Sequence, residues 1–253
     1  MLLNQRTLFC AFSSVLFAIS GCTGDGSQGT VGEIPGYDMS SGTPVSKNPT
    51  EPNPAPTEGP SGTLGPSCRS DDNSRFCVAL KYVVYKDSND RPVVSEQEAI
   101  SNLAAVNAVF SKCQIAFQID EFVPAEPSRY GLTFNTANSS ELDIIRRAFQ
   151  DDSEMVVVTT GDWNRSGSLG STGANAWTNM PGMGLYGVIL EDAVGTYPNL
   201  IAHELGHYVN LDHSSDASNL MSPIIYTTST GLTAGQCSAA RDALNSFWPR
   251  MLR

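Results

Sequence analysis

The sequence predicts an α+β domain built on a mixed, twisted sheet, and three observations carry that expectation. Strand-like and helix-like periodicities alternate from residue 76 to residue 160, an order that lays strands parallel through crossover helices. Residues 155–160, Met-Val-Val-Val-Thr-Thr, are continuously apolar or β-branched, as in a central strand covered on both faces. Residues 161–184 then turn to Gly, Ser, Asn and Thr, and a loop this long inside a compact domain is functional or disordered.

The elements follow in order. In Phe76–Tyr85, Val78, Leu80, Tyr82 and Val84 alternate against Lys81 and its neighbours, the two-residue period of a strand. Ser95-Glu96-Gln97-Glu98 is a capping box. The helix it opens carries Ile100, Leu103, Val106 and Phe110 on one stripe and stops near Cys113. Ile115, Phe117 and Ile119 alternate with Ala116, Gln118 and Asp120 in a second strand. Ser140 with Asp143 is the start expected for a short helix bearing Ile144, Ile145 and Ala148. After the long loop come a strand at 185–190 and a helix at 197–209 that breaks at Asn210. Thr233 and Gln236 form a capping box for a last helix reaching about Phe247.

Composition bounds the partners. The chain has 253 residues with 15 Lys+Arg against 26 Asp+Glu, a net charge of -11. Such a surface repels phosphate backbones, so nucleic acid is not an expected partner. No run of about 18 apolar residues occurs, so no spanning helix is expected. Arg6 precedes an apolar run at residues 8–19 that ends in Ile19-Ser20-Gly21-Cys22. The run reads as a signal-peptide core, and its end resembles a bacterial lipobox. The resemblance implies removal of residues 1–21, acylation of Cys22 and an anchor in the cell envelope, at the outer membrane or on a periplasmic or extracellular face. Residues 23–66 are nearly all Gly, Ser, Thr, Pro, Asn and a few acids, too poor in apolar groups to form a core. We read residues 22–67 as a lipidated Cys and a disordered tether, with a regulatory propeptide as the rival reading, and residues 68–253 as the folded domain.

Of six Cys, Cys10 leaves with the signal and Cys22 takes lipid. Cys68, Cys77, Cys113 and Cys237 remain, an even number in an oxidising compartment that allows three pairings. Cys68–Cys77 with Cys113–Cys237 is the favoured one, the first pair being close in sequence. A latency thiol at Cys68 that blocks a metal is the competing role.

The chemistry concentrates in His203-Glu204-Leu205-Gly206-His207-Tyr208-Val209-Asn210-Leu211-Asp212-His213. Histidines at i and i+4 lie on one helical face about a turn apart, so both imidazoles can reach one metal. Glu204, about 100° round the helix, falls beside that metal, placed to take a proton from water the metal activates. The protein contains only three His, and the third is His213, past the turn at Asn210. Three neutral imidazoles suit Zn²⁺ and leave a fourth position open, the arrangement of a catalytic rather than a structural site.

This run resembles the metzincin metalloproteases, whose signature is HExxHxxGxxH followed by a Met-turn. The family's Gly is Asn210 here, and Asn is the next-best residue for the left-handed turn required there. Met221, in Asn219-Leu220-Met221-Ser222-Pro223, resembles the Met-turn. Ser214 resembles the matrixin branch, and Pro223 stands where astacin-like members carry a Tyr. The resemblance covers residues 197–223. It implies a sheet with helices in an upper subdomain, a helix bearing the active site, and a small, mostly irregular lower subdomain ending in a C-terminal helix. It also implies an extended substrate paired antiparallel with an edge strand, here within residues 173–178, with Trp177 as one wall. The segment 214–226 would border an apolar pocket through Leu220, Ile224, Ile225 and Tyr226. Packing in the core is the rival role for these residues and for Trp177. Gluzincins take a downstream Glu as third ligand, and no Glu follows Glu204.

Calcium is a weaker second cofactor. Asp71-Asp72-Asn73 and Asp87-Ser88-Asn89-Asp90 carry oxygen donors at loop spacing, though turns explain both more simply. The function expected from the sequence is a zinc endopeptidase tethered to the cell envelope and acting on protein or peptide. The alternative is a non-catalytic zinc-containing surface lipoprotein for adhesion or ligand capture, which gives no role to Glu204.

Overall fold

The computed structural model describes residues 29–30, 63–69 and 74–253. The lipobox with Cys22, the signal core and Asp71-Asp72-Asn73 lie outside the described residues. Among the described residues six strands form one sheet: β1 (Gly29–Thr30), β2 (Phe76–Tyr85), β3 (Ile115–Ala125), β4 (Met155–Thr159), β5 (Ala176–Thr178) and β6 (Val188–Leu190). Their order is β1-β5-β6-β4-β2-β3. The β6–β4–β2–β3 portion is parallel, while β5 and β1 are antiparallel additions, so the sheet is mixed. The α-helices of the described residues are α1 (Glu96–Phe110), α2 (Ser139–Phe149), α3 (Pro198–Tyr208) and α4 (Ala234–Phe247). No helix among the described residues is long and apolar enough to cross a membrane.

The two-residue alternation of the strands divides the core between the two faces of the sheet. On one face Val78, Leu80, Tyr82, Val84 and Val157 pack with α1 and α3. On the other, Val83, Tyr85, Val156, Val158 and Ile189 pack with Leu142, Ile145 and Phe149 of α2. β4 is buried throughout, as its β-branched run requires. The capping boxes of Ser95/Glu98 and Thr233/Gln236 are both formed. Both expected disulfides are formed, Cys68–Cys77 and Cys113–Cys237, and the second ties the end of α1 to α4 across 124 residues.

Two local expectations, the starts of α2 and of β6, are corrected. The N-cap of α2 is Asn138, not Ser140. Glu141, three residues on, reaches back to accept from Asn138 Nδ2 at 2.8 Å and the Ala137 amide at 3.3 Å, so the start is set by an acid in the first turn. Ile144 is 38% exposed, and Leu142 and Phe149 complete the buried stripe with Ile145. The strand expected from residue 185 begins only at Val188, because Gly187 adopts φ 140° and gives its carbonyl to Arg146 Nε at 3.0 Å. Within the expected tether, Gly29–Thr30 pairs with β5, and Leu64 bridges Ile119 through its amide at 2.8 Å. Poverty in apolar side chains governs core formation, and main-chain pairing is indifferent to it.

Candidate metal centre

α3 begins with Pro198 at its first turn, where a missing N–H costs nothing. Leu200, Ile201, Leu205 and Tyr208 bury it against the sheet. Its last turn is held from outside by Trp248, whose Nε1 donates to the Tyr208 carbonyl at 2.9 Å. The chain leaves the helix through Asn210 at φ 66°, with Leu211 N donating to Gly206 O at 2.9 Å. This left-handed residue is what turns the backbone and brings residue 213 back over the helix face.

His203, His207 and His213 come together, their candidate ligand atoms all within 4.8 Å of one another. The first two are fully buried and the third is exposed. His203 Nδ1 lies 2.7 Å from Leu220 O, and His207 Nδ1 lies 2.8 Å from Leu211 O. A carbonyl only accepts, so each Nδ1 carries the proton and each Nε2 keeps its lone pair. His207 Nε2 is 3.2 Å from His213 Nε2. A proton on His213 could bridge that gap, yet it would leave His203 Nε2 buried without a partner. A cation at the focus engages all three lone pairs at once, so the donor set fits a metal ion that prefers imidazole. Burial holds the His203 imidazole down to about 3, opposed by the Leu220 carbonyl, with His213 adding a little. Burial likewise holds His207 well below its ordinary value, and His213 below its own. Burial thus favours the neutral, ligand form of all three imidazoles.

Glu204 is wholly buried on the same helix. Met221 is fully buried against α3. A Cβ on Gly206 would lie 2.4 Å from Met221 Sδ, so glycine is what admits the methionine against the helix that carries both buried histidines. The segment bearing Met221 is braced on both sides. Asn219 Oδ1 accepts from Met221 N at 2.9 Å and from Gln236 Nε2 at 3.0 Å, while Asn219 Nδ2 donates to Gln236 Oε1 at 2.9 Å. Gln236 thus serves both the cap of α4 and the loop whose Leu220 carbonyl orients His203. Sequence reasoning assigned Gln236 only to the cap and missed Gly206, since neither role has a local signature.

The remaining expected residues separate. Trp177 lies on β5 and packs half-buried with the cluster on the α2 face, whereas Ala176 faces the cluster that contains α3. Leu220 and Ile225 are buried in the core, while Ile224 and Tyr226 are 41% and 37% exposed. Asn199 at the start of α3 donates to the carbonyls of Tyr226 and Thr227, both at 3.0 Å, tying that loop to the helix. Asp87 accepts from the amides of Asn89 and Arg91 and pairs with the Arg91 guanidinium, and Asp90 pairs with Lys86. The Arg91 and Asn89 contacts hold the Asp87 carboxyl down to about 2. These oxygens are spent on a turn.

A network absent from the sequence reading shapes the long loop. Glu191, 3% exposed, accepts from Trp163 N at 3.1 Å, from Arg165 Nη2 at 2.5 Å and from Asn175 Nδ2. Its own amide donates to Asn175 O at 3.0 Å, and Arg165 Nη1 donates to Ala174 O at 2.7 Å. One buried carboxylate thereby sets the path of the chain into β5.

Fold and cluster together define an α+β protein with a three-histidine site able to hold a metal. No family model and no curated protein matches the chain. Among solved structures it is similar to metalloproteinase-II from Bacteroides fragilis, at 15% identity and a TM-score of 0.46, covering 73% of this chain. The match spans 58% of that protein's chain.

Proposed function

We propose that this chain is a zinc-dependent endopeptidase of the metzincin type, with Glu204 as general base, held at the bacterial cell envelope by a lipid on Cys22. The observation that carries the reading is the convergence of three neutral imidazoles, two with Nδ1–H tied to backbone carbonyls, beside a glutamate buried on the same helix. A divalent zinc ion held by three histidines polarises a carbonyl and acidifies nearby water. His203 and His207 would hold it from α3, and His213 would complete the set from the loop beyond Asn210. Glu204 takes the proton of the attacking water and returns it to the amine that leaves. The edge of β5 aligns an extended peptide by main-chain pairing, and Ile224 with Tyr226 offers apolar surface to a side chain beyond the scissile bond. The lipid anchor and residues 23–66 would present the domain to substrates outside the membrane.

The test compares the wild type with Glu204→Gln. Both should carry one zinc per chain by elemental analysis, and the variant should lose at least about 10²-fold in kcat on a peptide library. Zinc in both with cleavage by neither supports the adhesion or ligand-capture reading instead, and absence of zinc from the wild type defeats both.

A further inference from the structure

The outer edge of β5 has a neighbour from far away in the chain. Gly29 stands opposite Trp177, and Thr30 opposite Ala176, in antiparallel register. The inner side of β5 is engaged by the domain itself. Asn175 O accepts from Glu191 N at 3.0 Å, and Trp177 O accepts from Arg146 Nη2 at 2.8 Å. Main-chain groups alternate sides along a strand, so Ala176 and Thr178 turn theirs outward, toward β1. α3 packs against β5, so this edge runs beside the helix that carries His203, Glu204 and His207. The contact therefore covers the edge on which an extended peptide would be aligned.

We propose that the Gly29–Thr30 strand is an intramolecular occupant of the β5 edge, competing with extended peptides and holding the protein in a low-activity form. The inhibitory consequence rests on the peptidase reading above, but the pairing does not. Strand addition draws its affinity from the backbone, so a Gly-Thr sequence suffices for pairing. It brings no large side chain to anchor in a pocket, so the contact is weak in itself. Covalent connection to the domain raises its effective concentration and lets it compete. An occupant of this kind yields to any peptide that adds side-chain contacts to the same ladder.

The full chain is compared with its Gly29→Pro/Thr30→Pro variant, which lacks both backbone donors of β1 and cannot hold a ladder. Hydrogen exchange needs no activity. It should be faster at Ala176 and Thr178 in the variant and unchanged in β6. On a fluorogenic peptide library the variant should show a several-fold lower KM at equal kcat and equal zinc content. A synthetic peptide of residues 26–33, added in trans, should raise that KM again. Equal exchange at Ala176 and Thr178, or faster exchange with an unchanged KM, overturns the proposal while leaving the peptidase reading intact. If neither form cleaves, the peptidase reading and the inhibitory role fail together, and exchange alone decides whether the edge is occupied.

Discussion

Asn210 shows how much one backbone conformation decides. Its φ of 66° lies where L side chains are strained, and Asn tolerates it better than most. Asn210→Gly should therefore melt within a degree or two of the wild type. Asn210→Val should cost about 1–2 kcal/mol in thermal unfolding and weaken metal retention, because His213 depends on the turn. Gly206 is the complementary case, constrained by what lies opposite. With Met221 Sδ 2.4 Å from the place a Cβ would take, Gly206→Ala should cost about 1–3 kcal/mol. Combined with Met221→Ala it should cost less than the sum of the two single changes by about 1 kcal/mol or more. Strict additivity in denaturant unfolding would show that the two residues do not meet. The Asn210 turn could be read in the sequence because an Asn after a helix signals its own conformation. The Gly206 contact could not, since its partner lies fifteen residues on, across a fold.

The loop before β5 and the segment before α4 are each organised by a single polar side chain. Glu191→Ala would leave Arg165 and Asn175 without their shared carboxylate. We expect a loss of about 2–3 kcal/mol, together with faster hydrogen exchange across residues 161–178 and unchanged exchange in α3. Uniform loss of protection over the whole domain would contradict a local role. The loop's composition announced irregularity, yet the Glu191 network joins residues 163, 165, 175 and 191, a set with no period to detect. The capping boxes of α1 and α4 were legible because their partners lie three residues apart. Gln236 was legible as a cap but not as the clamp on Asn219, which comes from the far side of the loop.

Across the molecule the sheet is closed at one end by charge. Where β4 has yet to join β2, Leu252 bridges Val78 and Arg253 N donates to Cys77 O at 2.8 Å. The Arg253 guanidinium lies 2.6 Å from Asp120 and 3.8 Å from Glu154. Burial, and then repulsion from Asp151, Glu121 and Asp120, pushes the Glu154 carboxyl up from 4.5 to about 7, against the pull of Lys81. A carboxyl raised in the folded state contributes stability that is fully present below 4.5 and is lost as pH rises through about 7. Glu154→Gln should thus melt higher than the wild type at pH 8 and close to it at pH 4. Melting curves that shift equally at both pH values would show that Glu154 does not titrate in this window.

Parity and proximity favoured, among three pairings, the one the four domain cysteines adopt, and the histidine spacing coincides with the cluster. Such features are local or countable, and a one-dimensional string preserves them. The carbonyls that fix two imidazole tautomers, the glycine that admits Met221 and the Gly29–Thr30 strand paired with β5 arise differently. Each depends on a distance between parts of the chain that have no sequence relation, and those distances exist only once apolar burial on both faces of the sheet has brought the elements together.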